Sequence, residues 1–314
     1  MLKCYARMRF LSIALFVCLS AHAQTDAWRS LIQQADVLYQ QGWYDQAALA
    51  AAKAVEVAER DLGPVHPDVA TSLNLLALIY RTKGDYAAAE PAQKRALEIL
   101  EKFLGPEHHS IAIAIGNLAE LYQAQGRYAE AERAYARALA NAEAVLGPHH
   151  PNVATWLNSL AGVYYAQAKF AEAQPLYERA LAIREKALGP YNPAVAASLN
   201  NLAALYTARR EYDAAEPLYE RSLEIAVTRM GEGHPAVAVA LNNLAELHGA
   251  QGDYTEAEAL YQRSLAILMS ALGPDHPDVA ASLETLSRLY RAMGRPDDAK
   301  GLAERAAAIR ARPR

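Results

Sequence analysis

Cysteine is nearly missing from the chain, and this scarcity excludes several kinds of chemistry. Of the 314 residues only Cys4 and Cys18 are cysteine, and both lie among the first twenty. The rest of the chain can therefore form no disulfide and offers no thiolate for catalysis, redox chemistry or metal binding. An excess of basic residues is also missing, since the formal net charge is −4. This charge gives no reason to expect a nucleic-acid partner.

Glycine, proline and long apolar runs are scarce as well. With 16 glycines, 15 prolines and 53% hydrophobic residues, the chain is neither disordered nor collagen-like. One apolar run, residues 10–19, follows a basic stretch and ends in the small-residue site Ala21-His22-Ala23. It is too short to span a bilayer with ease. The pattern predicts a signal peptide over residues 1–23, cleaved before Gln24, and a periplasmic or secreted protein with no membrane span after cleavage. A retained membrane anchor is the alternative.

An internal repeat occupies the remaining chain. The string Leu-Gly-Pro-Val-His-Pro at 62–67 returns as Leu-Gly-Pro-Asp-His-Pro at 272–277, with related copies beginning at residues 104, 146, 188 and 230. Each step is 42 residues, without insertion. The period predicts one repeat domain over 24–314. Its copies cover approximately 25–66, 67–108, 109–150, 151–192, 193–234, 235–276 and 277–312.

Each copy has the pattern of two helices. In the second copy, Val69, Leu73 and Leu76 recur at helical spacing, and Gly84-Asp85 marks a turn. Gly105-Pro106 ends the second helix, and we expect its glycine to take the left-handed C′ position. Recurrent alanines predict close helix crossings. Because no copy can bury its apolar face alone, the copies must stack into an all-α solenoid.

The pattern resembles the tetratricopeptide repeat, specifically the 42-residue variety of kinesin light chains. The resemblance covers residues 25–312 and is carried by segments such as Leu199–Tyr206, Tyr212–Leu223 and Leu272–Val279. It implies a right-handed superhelix of about seven helix-turn-helix repeats, with a concave groove that binds a peptide or protein partner. A motor-adaptor role is not implied, because the chain has no heptad segment like the one that engages the motor.

In such repeats three positions of each first helix face the groove: one residue and those four and seven residues after it. The three positions share one helical face, and we call the row they form along the repeats the stripe. The groove residues predicted here are Asn74, Arg81, Glu120, Gln123, Asn158, Tyr165, Asn200, Thr207, Asn242, Glu246, Arg288 and Arg291. The recurrent asparagines predict a ladder of amides for a peptide backbone. Alternatively these amides tie successive repeats together or cap nearby groups, the interpretation favoured for the second series of Asn117, Asn201 and Asn243. Tyr165 beside Gly162 suggests a central apolar or aromatic anchor.

Other chemistry-bearing residues have simpler interpretations. Seven histidines fall in the loops between copies, too far apart to converge on one metal, and we expect them to hydrogen-bond at the helix starts. Arginines recurring from Arg95 to Arg305 are expected to pair with neighbouring glutamates, although a basic stripe for an anionic partner is an alternative. Because the repeats use the whole chain after the signal, no separate catalytic domain, cofactor or metal is expected.

The sequence therefore predicts an exported, non-enzymatic module that binds a peptide or protein in its groove. The alternative is a structural scaffold that assembles an envelope complex, or self-associates, through its outer faces or ends.

Overall fold

A computed structural model of the protein describes residues 26–311. The predicted signal peptide and its cleavage site lie outside these residues. Within them the chain forms fourteen α-helices and no strand, which confirms the all-α solenoid. The chain divides between Pro148 and His149 into two compact units. Among the described residues no helix combines the length and the apolar character needed to cross a membrane.

The first unit holds three helix pairs. Each first helix packs most closely on the second helix of its own copy, and each second helix packs on the first helix of the next copy within the unit. The helices are α1 (Asp26–Gln40), α2 (Tyr44–Leu62), α3 (Pro67–Lys83), α4 (Tyr86–Leu104), α5 (His109–Ala124) and α6 (Tyr128–Leu146).

The second unit holds four helix pairs packed in the same way, and α9 also contacts the first helices on both sides, α7 and α11. The helices are α7 (Pro151–Ala166), α8 (Phe170–Leu188), α9 (Pro193–Ala208), α10 (Tyr212–Met230), α11 (Pro235–Gln251), α12 (Tyr254–Leu272), α13 (Pro277–Ala292) and α14 (Pro296–Arg310).

The recurrent alanines lie where the helices cross, as predicted. Ala161 of α7 and Ala173 of α8 are fully buried, and so are Ala203 and Ala215 of the next pair. A side chain this small lets two helix backbones approach closely. The core of each unit therefore lies between first and second helices and is built of small and apolar residues.

Most first helices begin after a capping histidine. In five copies the unprotonated Nδ1 accepts a hydrogen bond from the backbone N–H two residues later, at 3.1–3.2 Å. The capping residues are His66, His108, His150, His234 and His276. Asn192 does the same for α9 through its Oδ1, at 2.9 Å. These contacts confirm the prediction for five of the seven loop histidines, which hydrogen-bond at the helix starts, where a cap satisfies an otherwise unpaired N–H.

This capping predicts a loss of stability in acid. Burial lowers the pKa of His108, and the neighbouring His109 lowers it further. A histidine whose pKa is lower in the folded chain stabilises the fold fully above its unfolded pKa of about 6.5, and less as the pH falls below that value. We expect the free energy of unfolding, measured with urea at pH 7.5 and 5.5, to fall less on acidification in His108→Asn than in the wild type. Equal losses in both proteins would contradict this role of His108.

Two kinds of turn require a positive φ. Gly105 after α4 has φ 79° and ψ 158°, so the predicted positive φ is confirmed but the predicted left-handed helical ψ is wrong. The extended ψ places this residue in a region that essentially only glycine occupies. The left-handed conformation occurs instead between the two helices of a copy, as at Gly84 with φ 82° and ψ 6°.

Two copies place a residue with a side chain at this second turn. Ala168 and Arg210 have φ 56° and 62° where Gly84 stands in the second copy. Because a left-handed conformation costs a non-glycine residue about 1–2 kcal/mol, we expect Arg210→Gly to stabilise the second unit by about 1 kcal/mol. Urea denaturation would measure the change. Ala182→Gly, on an exposed residue inside α8, is the matched control and should destabilise the second unit by up to about 1 kcal/mol.

Candidate functional site

The predicted groove residues of the first unit are largely bonded to one another or to the second helices. Asn74 Oδ1 accepts a hydrogen bond at 2.7 Å from Nε2 of the buried Gln93 in α4. Arg81 of α3 forms an ion pair with Glu120 of α5. These two predicted charges therefore neutralise each other. The Asn74 amide is bonded to the second helix of its own copy, which supports the alternative that these amides cap nearby groups rather than a free ladder.

Gln123 completes this pattern in the first unit. Its Oε1 accepts a hydrogen bond at 3.4 Å from the hydroxyl of Tyr135, a buried residue of α6. A side chain of the second helix thus reaches a predicted groove residue on the first helix of the same copy. Gln93 of α4 stands one period before Tyr135, and it likewise bonds a predicted groove residue, Asn74, on the first helix of its own copy.

In the second unit one asparagine clearly acts as a tie. Asn158 of α7 is only 7% exposed, and its Nδ2 donates to Ser198 Oγ at 3.2 Å. Its Oδ1 accepts from Nδ2 of Asn201 at 3.4 Å, so α7 and α9 are joined by two bonds. For Asn158 the structure supports the alternative that the amides connect repeats, and it supports the tie predicted for Asn201.

Asn200 and Asn242 differ from Asn158. They lie on α9 and α11, and both side chains are half-buried. The Oδ1 atom of each is buried and accepts no hydrogen bond from the described residues. An unpaired buried acceptor costs about 1–3 kcal/mol, so two of them at equivalent positions are unusual for a purely structural role.

Tyrosines of the second helices lie beneath the stripe of the second unit. Tyr177, Tyr219 and Tyr261 are each 5% exposed and stand one period apart on α8, α10 and α12. Burial raises the pKa of all three, so their hydroxyls stay protonated. The Tyr219 hydroxyl interacts with Thr207 on α9. The period alone predicts that these rings are buried, but only the structure shows that the hydroxyls reach the stripe.

Tyr165 is the aromatic side chain at the centre of this stripe. It is half-buried and packs on Phe170 with ring centroids 5.7 Å apart. One turn earlier, a Cβ added to Gly162 would meet only the Tyr177 hydroxyl, at 3.7 Å. The surface beside Tyr165 is therefore open, with a hydroxyl rather than an apolar group beneath it.

The charged members of the stripe in the second unit are exposed. Among the described residues the Glu246 carboxylate forms no hydrogen bond or ion pair. Arg288, one period later, donates to Thr285 Oγ1 at 3.0 Å. Arg291 is exposed at the end of α13. The structure thus brings Tyr165, Thr207 and Glu246 onto one surface of consecutive first helices.

The outer face is occupied by ion pairs between copies. Arg95, Arg137 and Arg221 bind Glu59, Glu101 and Glu185, each on the second helix of the preceding copy. These contacts confirm the predicted pairing for these three arginines and leave them unavailable as a basic stripe. Arg305 instead donates to Met269 Sδ at 3.6 Å, and Arg263 forms no ion pair among the described residues. In the part of the chain that the structure describes, no group of three or more histidine, cysteine or acidic residues is arranged to hold a metal.

Comparison with known proteins identifies the repeat independently. A family model described as tetratricopeptide repeat matches residues 27–102, 110–186, 153–228 and 236–312. A search of curated proteins finds no match.

Solved structures share this architecture. BtubC from P. vanneervenii is 27% identical over 73% of this chain and 92% of its own, with a TM-score of 0.63. A Podosopora anserina putative kinesin light chain with nearly identical repeats is 29% identical over 66% and 98% of the two chains, with a TM-score of 0.56. A Rap protein complexed with Competence and Sporulation Factor shares the fold at 18% identity, covering 91% of this chain and 78% of its own, with a TM-score of 0.59.

Proposed function

Because the chain belongs to the tetratricopeptide repeat family, whose repeats generally mediate protein–protein interactions, we propose that it is an exported, non-enzymatic binding module. It holds a peptide segment of a partner protein on the first-helix stripe of the second unit. The basic and apolar pattern of residues 1–23 supports export to the periplasm or the medium.

The observation that carries this proposal is the surface around Tyr165. A half-buried aromatic ring beside an open glycine position is the kind of anchor point that dominates peptide binding. The amides of Asn200 and Asn242 lie on the following first helices, and rotation of each amide presents either its N–H groups or its oxygen to a peptide backbone. A partner thereby satisfies acceptors that the described residues leave unpaired.

In-cell cross-linking tests the proposal. A photo-activated cross-linker placed at Thr207 should capture a partner in intact cells, and purified Tyr165→Ala should retain that partner at least about tenfold more weakly than the wild type. Tyr191→Ala is the matched control, because Tyr191 is 48% exposed on the loop before α9, outside the stripe. Circular dichroism should show equal helicity in both variants.

The scaffold alternative gives a different result in the same experiment. If the protein assembles through its outer faces or ends, Tyr165→Ala and Asn200→Ala should retain the partner as well as the wild type does. Light scattering of the purified protein would then test self-association directly.

A further inference from the structure

The stripe of the second unit contains a gap between two large side chains. Tyr165 on α7 and Glu246 on α11 stand on either side of α9, which contacts both helices. At the stripe positions between them the side chains are small, because α9 offers Ala204 and Thr207 and α11 offers Gly249. A Cβ added to Gly249 would meet only Ala257 Cβ, at 3.9 Å. We call this surface the Tyr165–Glu246 gap.

The gap carries one negative charge without a counter-ion. Glu246 is exposed, and its carboxylate has no hydrogen-bond or ion-pair partner among the described residues. The nearest cation of the stripe, Arg288, donates to Thr285 instead. In the first unit the equivalent carboxylate, Glu120, is already paired with Arg81. Glu246 is therefore unpaired among the described residues where Glu120 is neutralised.

The Glu246 carboxylate affects the pKa of the tyrosines around the gap. Burial raises the pKa of Tyr165, Tyr219 and Tyr261, and in each of them Glu246 raises it further. A hydrogen bond with Thr207 acts against this rise at Tyr219, and the charge of Arg288 acts against it at Tyr261. The groups around the gap are thus a carboxylate, neutral phenols and one accessible aromatic ring, with Arg288 of α13 near Tyr261. Such a set attracts a cation through both charge and the ring face, and it repels an acidic group.

We propose that the Tyr165–Glu246 gap binds a lysine or arginine side chain of the partner segment. The cation forms an ion pair with Glu246 and lies against the ring of Tyr165, while the small residues of α9 leave room for its aliphatic stem. This inference rests on the proposed peptide binding and adds to it the charge of the anchor.

Selection from a peptide library tests the inference without a known partner. Random linear peptides displayed on phage are selected in parallel on the purified wild type, on Glu246→Lys and on the control Glu220→Lys. Glu220 is exposed on α10, and its replacement changes the net charge equally. Peptides selected by the wild type and by Glu220→Lys should be enriched in lysine and arginine, and those selected by Glu246→Lys in aspartate and glutamate. A wild-type peptide should bind Glu246→Lys at least about tenfold more weakly.

The experiment distinguishes failure of the cationic anchor from failure of the proposed peptide binding. Peptides that lose binding in Tyr165→Ala but show no basic enrichment, or that bind Glu246→Lys equally well, overturn the cationic anchor and leave the proposed function intact. Selected peptides that bind Tyr165→Ala and Asn200→Ala as well as the wild type overturn both. Circular dichroism of each variant shows whether the fold is retained, and Glu246→Gln should give an intermediate loss that disappears at high salt.

Discussion

Replacing Trp28 with alanine should cost about 3–5 kcal/mol and detach α1 from the first unit. Trp28 is 5% exposed, and its indole Nε1 donates to Ser72 Oγ on α3 at 2.8 Å. In every later copy the equivalent position holds a buried alanine, beginning with Ala70. In the first copy one indole ring therefore occupies the position where the later copies have only the methyl group of an alanine.

The loss should be local, because α1 packs mainly on α2 and more lightly on α3. In a repeat protein each unit is stabilised by its neighbours, so an end helix can separate while the remaining helices stay folded. Amide hydrogen exchange should show lost protection across residues 26–40 in Trp28→Ala, with much smaller changes in α5 and α6.

Trp28→Phe separates the ring from its hydrogen bond. Ser72 Oγ donates to Asp68 O at 2.8 Å and keeps that bond in the variant, so we expect a loss of only about 1 kcal/mol. A loss as large in Trp28→Phe as in Trp28→Ala would show that the hydrogen bond, and not the buried area, holds α1.

The repeat period predicted the fold because it averages over many copies. Six occurrences of one loop string and the alanine series from Ala47 to Ala299 all indicate the same helix pair. Features confined to one copy have no such support. The pattern does not predict Trp28 or the left-handed residues Ala168 and Arg210, because each departs from the residue type of the other copies. Their role is seen only in the structure around them.

The candidate site was less predictable for a related reason. A helical face can be read from spacing, so Tyr165 and Glu246 could be placed on one stripe from the sequence. Whether a polar side chain on that face is free depends on its neighbours. Asn158 and Asn200 stand at equivalent positions, but Ser198 lies within hydrogen-bond distance of the first and no described donor reaches Oδ1 of the second. Spacing carries no information about such partners.

Arg184 is the clearest case of a residue whose burial and hydrogen bonds the repeat period does not predict. The equivalent position is apolar in five of the other six copies, as in Leu100 of α4 and Leu268 of α12, and only the last copy has another arginine, Arg310. The pattern therefore predicts an apolar residue. The structure buries Arg184 to 2% exposure, and its guanidinium donates to Ala194 O at 3.1 Å and to Ser198 Oγ at 2.8 Å. Ser198 also accepts from Asn158, so one network joins α7, α8 and α9.

Arg184→Ala should destabilise the second unit by about 2–4 kcal/mol, because the truncation leaves a cavity in a closely packed interior. Arg184→Leu is expected to cost less than about 1 kcal/mol. Leucine fills much of the space, as it does in two other copies, and Ser198 Oγ keeps its hydrogen bond from Asn158. Replacing a buried charge with an apolar residue of similar size is often neutral, since the charge no longer has to leave water.

Urea denaturation followed by circular dichroism, with amide exchange across α8 and α9, measures both losses. If Arg184→Leu is as destabilising as Arg184→Ala, the hydrogen bonds of the guanidinium and not its volume stabilise this junction. In that case Asn158→Ala should also destabilise α7 and α9 strongly, because it removes the other donor to Ser198. If volume dominates, Asn158→Ala costs only about 1 kcal/mol, the usual net worth of one hydrogen bond.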